Sequence, residues 1–288
     1  MEALANINGV QMPLAEVKIS ALDRGFLFGD AAYEVLRVYA GRPWLCEQHF
    51  QRLARSLEAI RIAGIDLARL QKQMHQTIAA GPFREATVYI QITRGAAPRA
   101  HPFPEQTTPL EFLYVQEYHD HYAKARLEGA VSFIHPDLRW QRCDIKSTNL
   151  LANVLAMQAA KEAGCVEAIL SRSDGSLTEG THSSLFAVKA GTILTAPKSS
   201  AILPGITRAL VLDLCIKAGI AVREELLKQS ELDSVAELFL TGTTTEVLPV
   251  VRVDRLIIGD GRPGPIVRRL QRAFQVAVED FRRGHGSS

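Results

Sequence analysis

Three things are scarce in this 288-residue sequence: cysteine, long apolar runs and an excess of charge of either sign. No stretch approaches the ~18 apolar residues of a transmembrane helix, so we expect no membrane span. The 33 lysines and arginines nearly balance the 31 acidic residues, which argues against the basic surface typical of nucleic-acid-binding proteins. The first ten residues, MEALANINGV, lack the positive flank and apolar core of a signal peptide. A cytoplasmic location is therefore expected.

Several familiar motifs are also missing. The four cysteines, at positions 46, 143, 165 and 215, are far apart, which is typical of buried, reduced thiols. No Walker loop, HExxH or GxSxG is present, and residues 259–264 match GxGxxG without room for a second parallel strand, which favours a glycine-rich turn. His119-Asp120-His121 could bind a metal, but a polar linker is the preferred interpretation. We expect no metal. The class of function that these exclusions leave is an enzyme or a binding protein that acts on small molecules.

The composition that is present, 47% hydrophobic and 22% charged, is that of a globular protein. The length favours about two domains. Strands are predicted at 31–39, 86–93 and 110–117, and helices at 47–63 and 66–80. The polar stretch 119–129 is the expected linker, so the predicted domains are residues 1–120, a small N-terminal domain, and residues 121–288, a larger C-terminal one.

The second part contains more strands than helices. Strands are predicted at 130–134 and 237–241, hairpins at Asp174-Gly175, at Ala190-Gly191 and over 247–258, and helices at 148–163, after Pro204-Gly205, and at 265–283. Because most of these strands would pair through hairpins, the sequence predicts an α+β protein. Its C-terminal domain is expected to have an antiparallel or barrel-like sheet rather than a doubly wound one.

Lys146 is the first candidate for chemistry. It lies just before the predicted helix 148–163, which Ser147 or Thr148 could cap. The preceding segment carries Arg139 and Arg142, and cationic neighbours disfavour the charged form of a lysine. A neutral amine can attack a carbonyl carbon. A solvated surface lysine is the alternative.

Two segments could bind an anion. Pro204-Gly205-Ile206-Thr207 opens a helix, whose free N–H groups and dipole favour a phosphate. Strand 237–241 runs into Gly242-Thr243-Thr244-Thr245, a loop able to form a backbone nest. Arg52 lies on a flank of the 47–63 helix and could reach a cleft. Ordinary helix caps and a solvated arginine are the alternative.

Glu179, in Leu177-Thr178-Glu179-Gly180, is the third candidate. A buried carboxylate facing a pyridine nitrogen would keep that nitrogen protonated and strengthen an electron sink. The alternative is a solvated glutamate in a turn.

Five separated motifs in this order resemble the fold-type IV pyridoxal-phosphate enzymes over nearly the whole chain. Asp23–Asp30, followed by Tyr33-Glu34-Val35, is similar to the N-terminal signature of this family, and His49–Leu53 resembles its phosphate-arginine helix. The resemblance implies pyridoxal 5′-phosphate as the cofactor and a two-domain fold. Lys146 then corresponds to the lysine that binds the cofactor covalently. The residues it implies as cofactor-binding are Arg52, Glu179, Leu203, Ile206, Thr207, Gly242 and Thr243.

One segment resembles a subgroup of this family. Residues 93–104, TRGAAPRAHPFP, are similar to the loop that binds the substrate α-carboxylate in D-amino-acid aminotransferases. The resemblance implies a carboxylate trap of Tyr33, Arg99 and His101, in which an arginine fork binds the carboxylate bidentately. Thr181-His182-Ser183 replaces the expected serine-rich run, so His182 is a candidate cofactor or substrate contact.

The resemblance thus implies an aminotransferase that acts on a D-amino acid, such as D-alanine, and a 2-oxoacid, such as 2-oxoglutarate. It also implies a homodimer. The alternatives are a branched-chain L-amino-acid aminotransferase, an aminodeoxychorismate lyase and a non-catalytic phosphate-binding protein.

Overall fold

The strands predicted in the first third of the chain form one antiparallel sheet in the computed structural model, which describes residues 2–284. The sheet consists of β1 (Leu4–Ile7), β2 (Val10–Pro13), β3 (Ala31–Tyr39), β4 (Arg42–Pro43), β5 (Ala86–Thr93) and β6 (Leu110–Glu117), in the order β2-β1-β6-β5-β3-β4. β3, β5 and β6 have the predicted bounds. β1 and β2 were not predicted, because each has only four residues and β2 has no buried position.

Three helices accompany this sheet: α1 (Arg24–Phe28), α2 (Cys46–Ala59) and α3 (Leu67–Ala80). The apolar residues of α2 and α3 are buried in one cluster with those of β3, β5 and β6. α2 ends at Ala59 rather than at the predicted Ala63, because Arg61 adopts a positive φ of 56° that no α-helix tolerates. α3 begins where the Asp66 side chain accepts a hydrogen bond from the Arg69 N–H at 2.9 Å.

The remaining strands form a mixed sheet that closes on itself. They are β7 (Ala130–Pro136), β8 (Glu167–Ser171), β9 (Leu177–Gly180), β10 (Ser184–Lys189), β11 (Thr192–Thr195), β12 (Val222–Glu224), β13 (Glu237–Gly242), β14 (Glu246–Val253) and β15 (Leu256–Ile257). The ring runs β10-β13-β14-β7-β8-β9 and returns to β10 through the pair Glu179 and Ser184. β7 is parallel to β8 and β14, and the other pairs in the ring are antiparallel. The α+β fold with a barrel-like second sheet is therefore confirmed.

The helices around the barrel are α4 (Ala123–Glu128), α5 (Leu151–Glu162), α6 (Ile206–Lys217) and α7 (Pro265–Arg282). α4 lies inside the stretch expected to be a linker. α5 begins later than predicted, and neither Ser147 nor Thr148 caps it: the residue before its first turn is Leu150, which makes no side-chain capping bond. The Thr148 hydroxyl donates instead to the Gly29 carbonyl at 3.2 Å.

The described residues divide into two units. The first contains residues 2–119, 145–149 and 280–284, and the second contains residues 120–144 and 150–279. All four cysteines are free; Cys46 and Cys215 are buried, as predicted, whereas Cys143 and Cys165 are only partly buried, because they lie in irregular segments outside the strands and helices. Among residues 2–284, no helix is long and apolar enough to cross a membrane. The same residues contain no group of three or more His, Cys, Asp or Glu side chains placed to hold a metal ion.

Candidate active site

Lys146 belongs to the first unit, where its short segment runs beside the start of β3. The Tyr33 N–H donates to the Lys146 carbonyl at 2.9 Å, and the Thr148 N–H donates to the Ala31 carbonyl at 3.2 Å. The Lys146 N–H in turn donates to the Ser56 hydroxyl of α2 at 3.2 Å. The backbone of Lys146 is therefore fixed by a strand and a helix of the same unit, which orients its side chain.

The side chain of Lys146 lies over an aromatic ring. Its Nζ atom is 4.1 Å from the centroid of the Tyr33 ring, and Tyr33 stacks on Tyr89 with 5.7 Å between ring centroids. The two arginines that precede Lys146 in sequence each pair with a carboxylate, Arg139 with Asp137 and Arg142 with Asp144. They are not the unpaired cationic neighbours that the sequence suggested.

Arg52 is buried on α2 in a charge cluster that also contains Glu34 and His49. Its Nε and Nη2 atoms donate to the two oxygens of Glu34 at 2.7 and 2.8 Å. His49 Nδ1 is 2.7 Å from Glu34 Oε2. Burial raises the pKa of Glu34, but Arg52 and His49 outweigh it and hold that pKa far below its ordinary value. Burial lowers the pKa of His49, which also responds to the charge of Lys146.

Arg99 and His101 lie together beside α1. Arg24, itself buried, donates to the carbonyls of Ala100 and His101 at 2.6 and 3.2 Å. The His101 ring is 5.7 Å from the Phe28 ring, and the Arg99 guanidinium carbon is 5.2 Å from the same ring. Within the described residues, no hydrogen bond or ring contact joins either side chain to Tyr33. Arg99 and His101 are thus neighbours around the Phe28 ring, and the carboxylate trap of Tyr33, Arg99 and His101 stays a prediction.

Glu179 lies in the second unit, in the strand pair that closes the barrel. Its carboxylate accepts hydrogen bonds from Arg139 Nη1 and from the Leu203 N–H, the latter at 3.2 Å to each oxygen. Burial raises the pKa of Glu179 to about 7, although Arg139 and the Leu203 N–H act in the opposite direction. A further cation beside this carboxylate would therefore be stabilising.

The two predicted anion-binding segments also lie in the second unit. Gly205 precedes α6 and has no side chain to cap the first N–H groups of the helix. A Cβ atom on Gly205 would be 2.7 Å from the Ser184 hydroxyl, and one on Gly242 would be 2.5 Å from the Thr245 hydroxyl. The buried hydroxyls of Thr241 and Thr245 have no hydrogen-bond partner among the described residues. A phosphate fits such unpartnered donors.

His182 is held by three neighbours at the start of β10. Its Nε2 atom is 3.0 Å from the Tyr122 hydroxyl, and its Nδ1 atom is 3.1 Å from the Thr181 hydroxyl and 3.2 Å from Glu167 Oε1. The backbone N–H of His182 also donates to Glu167 Oε1 at 2.9 Å. Glu167 is fully buried, so His182 is the ordered, half-exposed end of a buried polar network.

These donors suit a ligand with two different ends. The unpartnered hydroxyls, the small residues and the start of α6 fit a phosphate, and the buried Glu179 carboxylate fits a protonated ring nitrogen. A phosphorylated pyridine has both groups, so the residues of the second unit fit pyridoxal 5′-phosphate. In the first unit, Lys146 offers an amine, and Arg52 a guanidinium already paired with Glu34.

Sequence reasoning missed the partners of the predicted residues. Glu34 and His49 occur within the motifs quoted for the family, but nothing in the sequence shows that they are buried together. The only sequence signal for the ion pair of Asp137 and Arg139 is that the two residues are two positions apart. Glu167 has no sequence signal beyond a carboxylate in an apolar strand.

Comparisons with known proteins agree on one family. The family model described as amino-transferase class IV matches residues 31–253. The chain is 40% identical over 275 residues to a D-alanine aminotransferase of Bacillus licheniformis, covering 94% of this chain and 95% of that protein. It is 37% identical over 279 residues to a D-alanine aminotransferase of Staphylococcus aureus (strain N315), covering 95% and 97%.

Solved structures give the same result for the fold. A branched-chain amino acid aminotransferase of Escherichia coli superposes with a TM-score of 0.91 at 25% identity, covering 100% of this chain and 97% of that one. A T.th. branched-chain amino acid aminotransferase, solved with pyridoxamine 5′-phosphate, has a TM-score of 0.89 at 26% identity and covers 99% and 97%.

Proposed function

Since the chain belongs to the class IV aminotransferase family, we propose that it is a pyridoxal-phosphate-dependent enzyme that transfers an amino group between a D-amino acid, such as D-alanine, and a 2-oxoacid, such as 2-oxoglutarate. The family resemblance and the aminotransferase activity predicted from the sequence are confirmed by the match over nearly the full chain. The observation that carries the choice of substrate is the 40% identity, over 94% of the chain, to a D-alanine aminotransferase.

Pyridoxal 5′-phosphate, when bound, supplies an electron sink that weakens the bonds at the α-carbon of the substrate amino acid. Lys146 is the residue that would hold the cofactor covalently through its aldehyde group, with loss of water, and its amine, when free, would move the proton at the substrate α-carbon. Lys146 Nζ lies 4.1 Å from the centroid of the Tyr33 ring, a residue assigned to the substrate carboxylate in this proposal, which supports this role.

Residues of the second unit, together with Arg52, bind the two ends of the cofactor. Glu179 would hold the proton on the ring nitrogen, and Leu203 would pack against one face of the ring. Thr207, with the N–H groups of the first turn of α6, and Thr243, in the turn after β13, accommodate the phosphate. The full phosphate-binding set in this proposal is Arg52, Ile206, Thr207, Gly242 and Thr243, with His182 as an additional contact to cofactor or substrate.

The α-carboxylate of the substrate is bound by Arg99, His101 and Tyr33. An arginine fork matches a planar carboxylate, and one carboxylate site serves both half-reactions, because the amino acid and the 2-oxoacid share that group. The organisation that goes with this proposal is a small domain of residues 1–120 that carries the carboxylate loop and a cofactor-binding domain of residues 121–288. A homodimer in the cytoplasm completes the proposal.

The test is a panel of half-reactions on the purified holoenzyme. The absorption spectrum of the cofactor is the measurement. We expect D-alanine to convert the bound cofactor to its amine form, while L-leucine and aminodeoxychorismate leave the spectrum unchanged. The Lys146→Ala variant should lose the visible absorption of the covalently bound cofactor. Conversion by L-leucine and not by D-alanine would make the enzyme a branched-chain aminotransferase.

That second candidate rests on one observation. The superposed solved structures are branched-chain amino acid aminotransferases, with TM-scores of 0.91 and 0.89. Their identities of 25% and 26% are well below the 40% for the D-alanine enzyme, so similarity of sequence favours the D-amino acid. Release of pyruvate from aminodeoxychorismate would instead identify a lyase.

A further inference from the structure

The Glu179 carboxylate is one of three largely buried charged side chains that are linked in a row by hydrogen bonds: Asp137, Arg139 and Glu179. Arg139 lies between two carboxylates: it donates through Nη1 to Glu179, and through Nε and Nη2 to Asp137 at 2.9 and 2.8 Å. The side chains of Asp137, Arg139 and Glu179 are only 9%, 7% and 7% exposed. Charges at this depth are weakly screened by solvent, so their balance decides which ligand the cluster prefers.

Asp137 is held independently of Arg139. It directly follows β7, and its N–H donates to the carbonyl of Ser171 at the end of β8, at 2.8 Å. The Thr178 hydroxyl, next to Glu179 on β9, donates to Asp137 Oδ2 at 2.9 Å. Three neighbouring strands of the barrel therefore fix the position of Asp137, and this carboxylate holds two of the three guanidinium nitrogens of Arg139.

The charge balance of this cluster has a consequence for Glu179. Arg139 and Glu179 alone would form a neutral pair, in which the guanidinium competes with any other cation for the carboxylate. With Asp137 ionised, the cluster carries a net charge of −1, and one more positive charge makes it neutral. Besides the Leu203 N–H, the groups that shift the pKa of Glu179 are Arg139 and Asp137, with opposite signs.

We propose that Asp137 is a positioning residue of the cofactor site, which neutralises Arg139 and so leaves Glu179 with the negative charge that holds a proton on the ring nitrogen of the cofactor. This inference rests on the proposed function, because it requires that the cofactor binds with its nitrogen at Glu179. It adds a residue that does not touch the cofactor and acts through Arg139.

The experiment measures the protonation of the ring nitrogen directly. Holoenzyme is prepared with pyridoxal 5′-phosphate labelled with ¹⁵N in the ring, and the ¹⁵N chemical shift distinguishes a protonated from a neutral nitrogen. In the wild type we expect the protonated signal. In Asp137→Asn we expect the signal to move to the neutral position, and the rate of the D-alanine half-reaction to fall by about tenfold or more, the equivalent of one pKa unit.

Asp144→Asn is the matched control. Asp144 binds Arg142 through two hydrogen bonds of 3.0 and 2.9 Å, the same type of pair in the same segment, but it is half-exposed, and Arg142, unlike Arg139, makes no hydrogen bond to Glu179 within the described residues. We expect the ¹⁵N signal of this variant to remain protonated. A neutral signal in Asp144→Asn as well as in Asp137→Asn would contradict a specific role for Asp137.

The Arg139 variants separate an electrostatic role from a merely structural one. Arg139→Met leaves two carboxylates and no guanidinium, so the nitrogen should stay protonated. In the double variant Asp137→Asn/Arg139→Met the net charge returns to −1, and the protonated signal lost in Asp137→Asn should reappear. This arm also serves if the single Asp137 variant does not fold.

Besides a neutral signal in the control, two results would overturn the inference: a protonated nitrogen in Asp137→Asn, or a nitrogen that remains neutral in the double variant. Both are distinct from a failure of the proposed function. A wild-type chain that binds no pyridoxal 5′-phosphate overturns both proposals, whereas a wild type that binds it and reacts with D-alanine leaves only the role of Asp137 to be decided by the signals.

Discussion

Among single residues, Glu34 is the centre of a buried charge cluster in the first unit. It accepts hydrogen bonds from Arg52 and His49, and its side chain is 1% exposed. Replacing it by glutamine leaves the buried Arg52 guanidinium without an anionic partner, which costs far more than the same change on a surface. The orientation of Arg52 depends on this pair.

We therefore expect Glu34→Gln to lower the free energy of unfolding by about 3–5 kcal/mol, the usual cost of breaking a buried ion pair. Urea unfolding of the unliganded protein measures this value. The control is Glu231→Gln, which removes a half-exposed partner of Lys189 at 2.8 Å and should change stability little. Equal losses in the two variants would show that Glu34 is not a buried anchor.

The raised pKa of Glu179 predicts that the free energy of unfolding depends on pH. Burial raises its pKa from 4.5 to about 7 in the unliganded protein, so the folded state binds this proton more tightly than the unfolded state does. The contribution of Glu179 to stability is therefore most favourable below pH 4.5, and it declines as the pH rises to about 7.

Glu179→Gln removes this titration. Relative to the wild type, the unliganded variant should gain roughly 3 kcal/mol of stability between pH 4.5 and pH 8, which is the free energy of the shift at about 1.4 kcal/mol for each pKa unit. Thermal or urea unfolding at the two pH values checks the prediction. A difference between variant and wild type that stays constant with pH contradicts it.

Among the elements, the loop of residues 94–104 depends on one glycine. Gly95 has a φ of +96°, and a Cβ atom there would lie 2.0 Å from the Thr108 carbonyl oxygen, a backbone atom that cannot easily move. Gly191, in the turn between β10 and β11, also has a positive φ, of +74°, but nothing lies within 4 Å of its Cβ position. An alanine at Gly191 would therefore add backbone strain alone, whereas an alanine at Gly95 would add the same strain and a steric clash with the Thr108 carbonyl.

Gly191→Ala should cost about 1 kcal/mol of stability, the strain of a left-handed residue. Gly95→Ala should cost more, and it should also raise the KM for D-alanine at least fivefold, because the loop that carries Arg99 and His101 must shift. Steady-state kinetics and urea unfolding of both variants provide the comparison. An unchanged KM in Gly95→Ala would mean that the loop does not position the substrate.

Local patterns predicted most elements, but not how they close into sheets. β3, β5 and β6 are runs of eight or nine residues rich in aliphatic and aromatic side chains, so their bounds follow from local composition. The parallel pairing of β14 with β7, in which Val250 lies opposite Ala130, joins strands far apart in sequence, completes the ring and has no local signal. For the same reason the motifs identified Glu179 and Arg52 as candidates, whereas their partners Arg139 and Glu34 required the fold.

For the whole molecule, the proposed homodimer needs a surface on which a second copy can pack. The outer face of α5 presents Leu151, Val154 and Leu155, which are 72%, 58% and 60% exposed. These residues are spaced three and four apart and so lie on one side of the helix. Adjacent exposed apolar residues of this kind favour association, whereas Ile216 of α6, 75% exposed, is a single large apolar residue on the surface of its helix.

We expect light scattering to give twice the mass of the chain at micromolar concentration, and the double variant Leu151→Gln/Leu155→Gln to raise the dissociation constant at least tenfold. That factor corresponds to about 1.4 kcal/mol, which the removal of two leucines from an interface readily exceeds. Ile216→Gln is the control and should leave the constant unchanged. A wild type that remains monomeric rejects the homodimer, while a dimer that is indifferent to the α5 variant rejects this face, because burying the two leucines against a second copy would make their loss measurable.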